Sequence, residues 1–229
     1  MRIGTLVFSR SGSSRLPDKA LRHIGGIPLL ERVIRRAQLL PWPVFLATTN
    51  ETADDRLVAV ANQLKVESFR GSEERVLERA VLAAEAFGLD AFARLCGDRP
   101  LFPLEDLRTA AQVMLGDDSS KPQKPPDLVT TFGDGRCPRG LLTEIVLTDT
   151  LRTILNHGVS AKHQEHLTLY FYEHQEGFRI EKLPTPSTSF VCPGFAVDSQ
   201  SDLVTLDRIC TKNPALDLTP AEADHIYAS

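Results

Sequence analysis

The chain has 229 residues, 42% of them hydrophobic, which is enough for one substantial buried core and is the length of one domain. A formal net charge of −4 and a pI near 5.9 leave no broad excess of Lys and Arg. That balance argues against general nucleic-acid binding and against attraction to anionic lipid, so any basic site must be local.

The opening residues, MRIGTLVFSR, place one arginine before a few apolar residues and then return to polarity. The run is too short for a secretory core or a membrane span, and a cytoplasmic location is expected. Residues 3–8 read as a strand and residues 27–38 as a helix; between them lies FSRSGSSRLPDK, with three cationic side chains, four serines and a glycine. The alternation continues as strand 44–47 and helix 54–64, strand 66–69 and helix 73–87, strand 91–95 and helix 104–115. This pattern predicts an α/β fold built from parallel βαβ units, with a mostly parallel central sheet and helices on both faces. Ligands of such sheets bind at the carboxyl ends of the strands, so the basic loop, residues 48–50, residues 70–72 and residues 96–98 are expected on one rim.

Residues 116–127, GDDSSKPQKPPD, are polar and proline-rich and read as a surface connection. Beyond them the periodicity predicts strands at 128–132, 144–147 and 178–183, helices at 149–156 and 163–174, a rim segment at 195–198 and closing helices at 201–211 and 219–227. The four cysteines, Cys96, Cys137, Cys192 and Cys210, form no C-x-x-C pair and are expected as reduced, mostly buried thiols.

Arg10, Arg15 and Lys19 are suited to charge-assisted bonds with phosphate oxygens, and Ser11, Gly12, Ser13 and Ser14 supply small side chains and backbone N–H groups. The loop is neither a Walker motif nor G-x-G-x-x-G. The alternative is a solvated basic loop whose serines serve turns. In RLCGDRP, Asp98 ends an apolar strand, where a carboxylate either ligates Mg²⁺ or caps the helix that follows near Pro103. In FAVDSQSD, Asp198 likewise follows an apolar run. Two carboxylates converging to about 4 Å repel by about 4 kcal/mol at an effective dielectric of about 20, so a pair would want a cation between them. Asp202 reads better as a helix-start residue, and Asp198 or Ser199 is a possible cap for the same helix.

RSGSSRLPDK, GGIPLLERVIRRA, ATTNETADD, FRGSEERVLERA, GDRPLF, PRGLLTEI, EHLTLYFY and FAVDSQSDL together resemble, in order, the cytidylyltransferase family that includes acylneuraminate and 3-deoxy-manno-octulosonate cytidylyltransferases, and most of all its spore-coat polysaccharide branch. The resemblance spans about residues 3 to 209 and implies a Rossmann-like nucleotidyltransferase fold over residues 1–229 as one domain. Within it, 128–183 would form an acceptor-binding or dimerisation elaboration. It implies transfer of CMP from CTP to an acceptor, with release of pyrophosphate and with Mg²⁺ as cofactor. Arg10, Arg15 and Lys19 would hold the triphosphate, and Asp98 and Asp198 would ligate Mg²⁺. Lys19, Arg10 and Asp98 would be catalytic, and Arg70, Gly71 and Ser72, with Arg75 nearby, would line the nucleoside pocket. Arg139, Glu144 and His166 would face the acceptor.

This sequence departs from the family at Asp18, where R-L-P-G-K has glycine, at Arg99 after the G-D pair, and at Gln164 before E-H. Arg139 and the neighbouring Arg136 either point to an acidic acceptor, such as a sugar acid or phosphonate, or are surface residues. Family members are often homodimers, and LTLYFY, residues 167–172, suits either an interface or the monomer's own core. The alternatives to cytidylyl transfer are a nucleotide-sugar-dependent glycosyltransferase, although no Asp-x-Asp motif occurs, and a non-catalytic nucleotide-binding subunit.

Overall fold

A computed structural model describes residues 1–13, 15–116, 124–133, 137–185 and 190–229; Ser14, Arg136 and most of the 116–127 connection lie outside the described residues. In chain order the elements are β1 (Ile3–Phe8), β2 (His23–Ile24), β3 (Ile27–Pro28), α1 (Leu29–Ala37), β4 (Val44–Thr49), α2 (Asp55–Gln63), β5 (Ser68–Gly71), α3 (Val76–Ala86), β6 (Ala91–Cys96) and α4 (Leu104–Leu115). The second half adds β7 (Leu128–Thr130), β8 (Glu144–Leu147), α5 (Thr148–Asn156), α6 (Ala161–Glu165), α7 (Leu169–Glu173), β9 (Ile180–Lys182), α8 (Gln200–Lys212) and α9 (Pro220–Ala228).

Among the described residues, seven strands form one mostly parallel sheet in the order β5-β4-β1-β6-β8-β7-β9. The alternating side chains of its strands enter two separate cores. Val7, Leu46, Ala93, Leu95 and Ile145 pack on one face with α1, α2, α4, α8 and α9. Leu6, Phe45, Ala47, Phe92 and Val146 pack on the other, beneath α3, α5 and α7. This is the period-2 geometry of strands covered on both sides.

Several elements depart from their sequence-derived bounds. Ile27 and Pro28, expected inside the first helix, instead pair with Ile24 and His23 in a two-stranded ladder, and α1 starts after the extended Pro28. β5 starts two residues late, because Lys65 turns through a left-handed conformation (φ 57°) and buries Val66 before the strand begins. The helix expected over 163–174 is two short helices: His166 leaves helical geometry (φ −107°, ψ 87°), and burial of Leu167 and Thr168 occupies the break. β8 is antiparallel to both β6 and β7, a reversal that the parallel βαβ reading did not include. All four cysteines are free thiols; Cys192 and Cys210 are buried, whereas Cys96 and Cys137 are only partly so.

Candidate active site

β1, β4, β5 and β6 run in parallel register, with Phe8 beside Ala47 and Cys96, and Thr49 beside Gly71. Their carboxyl ends therefore form the single expected rim. The basic loop leaves β1 here and is pinned at three points. The Gly97 N–H donates to the Phe8 carbonyl at 2.8 Å, and Cβ of any larger residue at 97 would lie 2.8 Å from the Ser9 side chain. The Ser11 N–H donates to Asp54 at 2.7 Å, while the Ser11 hydroxyl donates to the Ala53 carbonyl at 3.0 Å. Leu16 is buried in the core and fixes the middle of the loop.

Asp54 is the residue on which this arrangement turns, and sequence reading passed over it as one acid in a helix start. It is 1% exposed and also accepts from the Thr48 hydroxyl (2.9 Å), the Thr49 N–H (3.1 Å) and the Thr49 hydroxyl (2.5 Å). Burial pushes its carboxyl upward, but the bonds from Thr49, Ser11 and Thr48 outweigh burial and hold it below the ordinary value.

Lys19 reaches across the cleft. Its ammonium donates to Asp98 at 2.6 Å and to the Val197 carbonyl at 3.1 Å, and it lies 3.6 Å from Asp198. The two carboxylates, distant in sequence, thus face one another with a single cation between them. The backbone makes the same junction: the Val197 N–H donates to the Asp98 carbonyl at 2.9 Å. Asp98 is not a helix cap, since α4 begins after Pro103 with no side-chain cap. Ser199 and Asp202 form the capping box of α8, as the helix-start reading of Asp202 required.

Arg139 grips Asp202 at 2.5 Å and Asp198 at 2.9 Å, and Arg15 adds a contact to Asp198 at 3.2 Å. Burial alone would raise the Asp198 carboxyl, but Arg139, Lys19 and Arg15 reverse the effect and keep it below the ordinary value. Asp202 is held well below the carboxylate range, first by its bond to Arg139.

The cleft under the loop has a volume of about 420 Å³ and gathers Arg10, Gly12, Ser13, Arg15, Lys19, Asp98 and His166 along its walls. Arg10 meets Glu73 at its edge, at 3.1 Å. Ser11 sits behind it, bonded to the 53–54 turn. Arg70, Gly71, Ser72 and Arg75 do not line this cleft. The Arg70 guanidinium is spent on the Thr49 and Glu51 carbonyls and on Asp55, bracing the turn that holds Asp54, while Arg75 pairs with Glu78 at 3.1 Å on the surface. Glu144 is fully buried and bonds Arg94 at 2.8 Å. Arg79 and Arg94, both absent from the sequence-derived set, contribute to the walls. Asp18 adopts φ 54°, the left-handed conformation that glycine would take there, and pairs with Arg56.

Residues 5–193 match the cytidylyltransferase family. The chain belongs to the cytidylyltransferase family. This cytidylyltransferase is 29% identical over 216 residues to the spore coat polysaccharide biosynthesis protein SpsF of Bacillus subtilis, covering 90% of this chain and 85% of that one. Its fold is similar to that of a cytidylyltransferase from Leptospira borgpetersenii, with a TM-score of 0.90 at 23% identity, covering 100% of this chain and 94% of the other. It is also similar in fold to a CMP:2-keto-3-deoxy-manno-octonic acid synthetase complexed with CTP, with a TM-score of 0.69 at 18% identity, covering 93% and 99%. The family makes the chain a CTP-dependent nucleotidyltransferase. Among the described residues no helix is long and apolar enough to cross a membrane.

Proposed function

We propose that this cytidylyltransferase transfers CMP from CTP to an acidic acceptor, a sugar acid or phosphonate, and releases pyrophosphate. The observation that carries the reading is Lys19 standing between Asp98 and Asp198; Lys19 and Asp98 line a cleft of about 420 Å³ beneath the basic loop, and Asp198 adjoins it through Lys19 and Arg15. An acceptor oxygen would attack the α-phosphorus in line with the departing pyrophosphate, with no nucleophilic side chain. Positioning and neutralisation of oxygen charge supply most of the acceleration in such a displacement.

Asp98 and Asp198 suit a divalent cation on donor chemistry. Both present carboxylate oxygens, and both lie within reach of one ammonium, at 2.6 and 3.6 Å. Among the described residues no cluster of three or more His, Cys, Asp or Glu side chains offers a complete protein cage. Mg²⁺ needs no such cage: one or two carboxylates hold it, and its other ligands come from phosphate and water. When bound, the ion would polarise the α-phosphate. Lys19, Arg10 and Arg15 would exchange their present carboxylate partners for phosphate oxygens and stabilise charge on the leaving pyrophosphate. Asp54 keeps the Ser11–Ser13 backbone in place to receive them.

Arg70, Gly71, Ser72 and Arg75 serve the nucleoside side by shaping the neighbouring rim. Arg139, Glu144 and His166 serve the acceptor side, Arg139 by steadying Asp198 and His166 from the cleft wall. Residues 128–183 belong to the one domain and carry the acceptor wall. The protein acts as a homodimer in the cytoplasm, on the path to a surface polysaccharide. Because Leu167 and Phe171 are consumed in the monomer's own core, any pairing through 167–172 rests on the partly buried Leu169, Tyr170 and Tyr172.

The test is pyrophosphate release from each of the four ribonucleoside triphosphates and dCTP, with Mg²⁺, against sugar acids, sugar phosphates and phosphonates. CTP with an acidic acceptor should give release, and D98N should lose it by at least about a hundredfold while keeping its thermal midpoint. Near-wild-type release from D98N would remove the metal-ligand role. Release of a nucleoside diphosphate instead would reassign the enzyme to glycosyl transfer.

A further inference from the structure

Arg94 lies on β6, four residues before Asp98, inside a strand that is otherwise apolar. Its side chain is 20% exposed and lines the same cleft as Asp98 and His166. Among the described residues one nitrogen, Nη1, is bonded to protein: it donates to Glu144 at 2.8 Å. Among the described residues the Nε and Nη2 groups have no hydrogen-bond partner, and neither is sealed from solvent. Those two N–H groups form the side edge of the guanidinium, the edge that grips a planar carboxylate with two parallel bonds.

The protein holds this fork still. Glu144 is 1% exposed in its side chain and accepts from Arg94 with one oxygen and from the Tyr172 hydroxyl, at 2.7 Å, with the other. The Tyr172 oxygen also lies 3.0 Å from the Thr130 hydroxyl, and its ring packs on Phe132 with centroids 4.5 Å apart. A buried carboxylate with no cation beside it would be costly, so Glu144, itself held by Tyr172, keeps the Arg94 guanidinium turned toward it. Arg139, by contrast, already bonds Asp198 and Asp202.

We infer that Arg94 recognises the acceptor's carboxylate through its Nε–Nη2 edge, and that Glu144 and Tyr172 are positioning residues acting on the acceptor only through Arg94. The inference rests on the proposed transfer to an acidic acceptor. It replaces direct contact by Glu144 with an indirect role, and it makes the acceptor a carboxylic acid of planar fork geometry.

The experiment measures pyrophosphate release with CTP, Mg²⁺ and matched pairs of each sugar acid and its carboxamide, using wild type, R94K and Y172F. Wild type should favour the acid. R94K keeps the charge but loses the fork; it should raise the acceptor KM by about tenfold or more and bring the acid-to-amide preference toward unity, with CTP KM within about twofold. Y172F should raise the acceptor KM several-fold without moving the CTP KM, a split that mere loosening of the fold would not give. It carries the test if R94K proves unfolded by thermal melt. Turnover by both variants with unchanged acceptor KM and preference would overturn the inference alone, as would a rise confined to the CTP KM, which would place the fork on the triphosphate. A wild-type enzyme that releases pyrophosphate with none of the acids would overturn the acidic-acceptor reading, and this inference with it.

Discussion

Replacing Asp54 with asparagine tests the link between a buried carboxylate and the basic loop after β1. One carboxylate oxygen accepts from the Ser11 N–H, and the other accepts from the Thr48 hydroxyl and from the Thr49 N–H and hydroxyl. An amide offers one oxygen and one NH₂ group, so in either orientation a backbone N–H faces another donor. Losing one or two bonds to a buried charge, each worth about 1.5–3 kcal/mol, gives an expected destabilisation of about 2–4 kcal/mol. At about 2–4 °C per kcal/mol for a chain of this size, the thermal midpoint should fall by about 5–15 °C. Keeping the Thr48 and Thr49 bonds sacrifices Ser11, so the loop loosens and the CTP KM rises.

The pH dependence has a definite sign. The Asp54 carboxyl lies below its ordinary value of 3.8, so its contribution is complete above 3.8 and is lost as the pH falls through the lower folded value. D54N lacks that term, and the stability gap between wild type and variant should narrow as the medium becomes more acid than 3.8. Urea and thermal melts across pH, with pyrophosphate-release kinetics at neutral pH, measure both effects. A D54N protein with wild-type melting and an unchanged CTP KM would refute the reasoning.

Two further substitutions probe backbone geometry around the cleft. D18G should leave stability within about 1 kcal/mol, because relief of the left-handed strain roughly offsets loss of a half-exposed ion pair. The same change removes a negative charge beside Lys19 and releases Arg56, so the CTP KM at low salt should fall; an unchanged KM would show that the triphosphate does not feel this charge. G140A should destabilise, because Gly140 sits at φ 93° and a Cβ there would lie 2.6 Å from the Phe195 carbonyl oxygen. The strain, at least about 1–2 kcal/mol, should also displace the segment carrying Asp198 and depress turnover, so a normal melt with normal turnover would contradict the close approach.

The parallel half of the sheet was legible because each strand and its helix fall within a local window: the periodicity alone predicts the bounds of α4, and those of β8 as well. The placement of β8 between β6 and β7, antiparallel to both, was not, because a strand's own pattern does not name its partner. The break at His166 escaped notice for a related reason: it follows from burial of Leu167 and Thr168 against distant elements, not from a local breaker residue. In the candidate site, Asp98 and Asp198, which the structure brings together at Lys19, could be picked out because each closes an apolar run. Asp54 stands among other acids in ETADD, and Arg94 reads as an interruption within a strand. Arg139 was visible as a cation, but its bond to a capping-box carboxylate 63 residues away was not.

That last bond has an evolutionary corollary. A single guanidinium ties the glycine-containing corner at 139–140 to Asp198 and to Asp202 in the first turn of α8, two stretches of chain with no neighbourhood in sequence. Drift in the corner is transmitted straight to the segment that carries Asp198 and starts α8. Descendants of this enzyme would therefore have to retune both stretches together, and change in the corner is expected to leave compensating changes at Asp202 or in the segment before it.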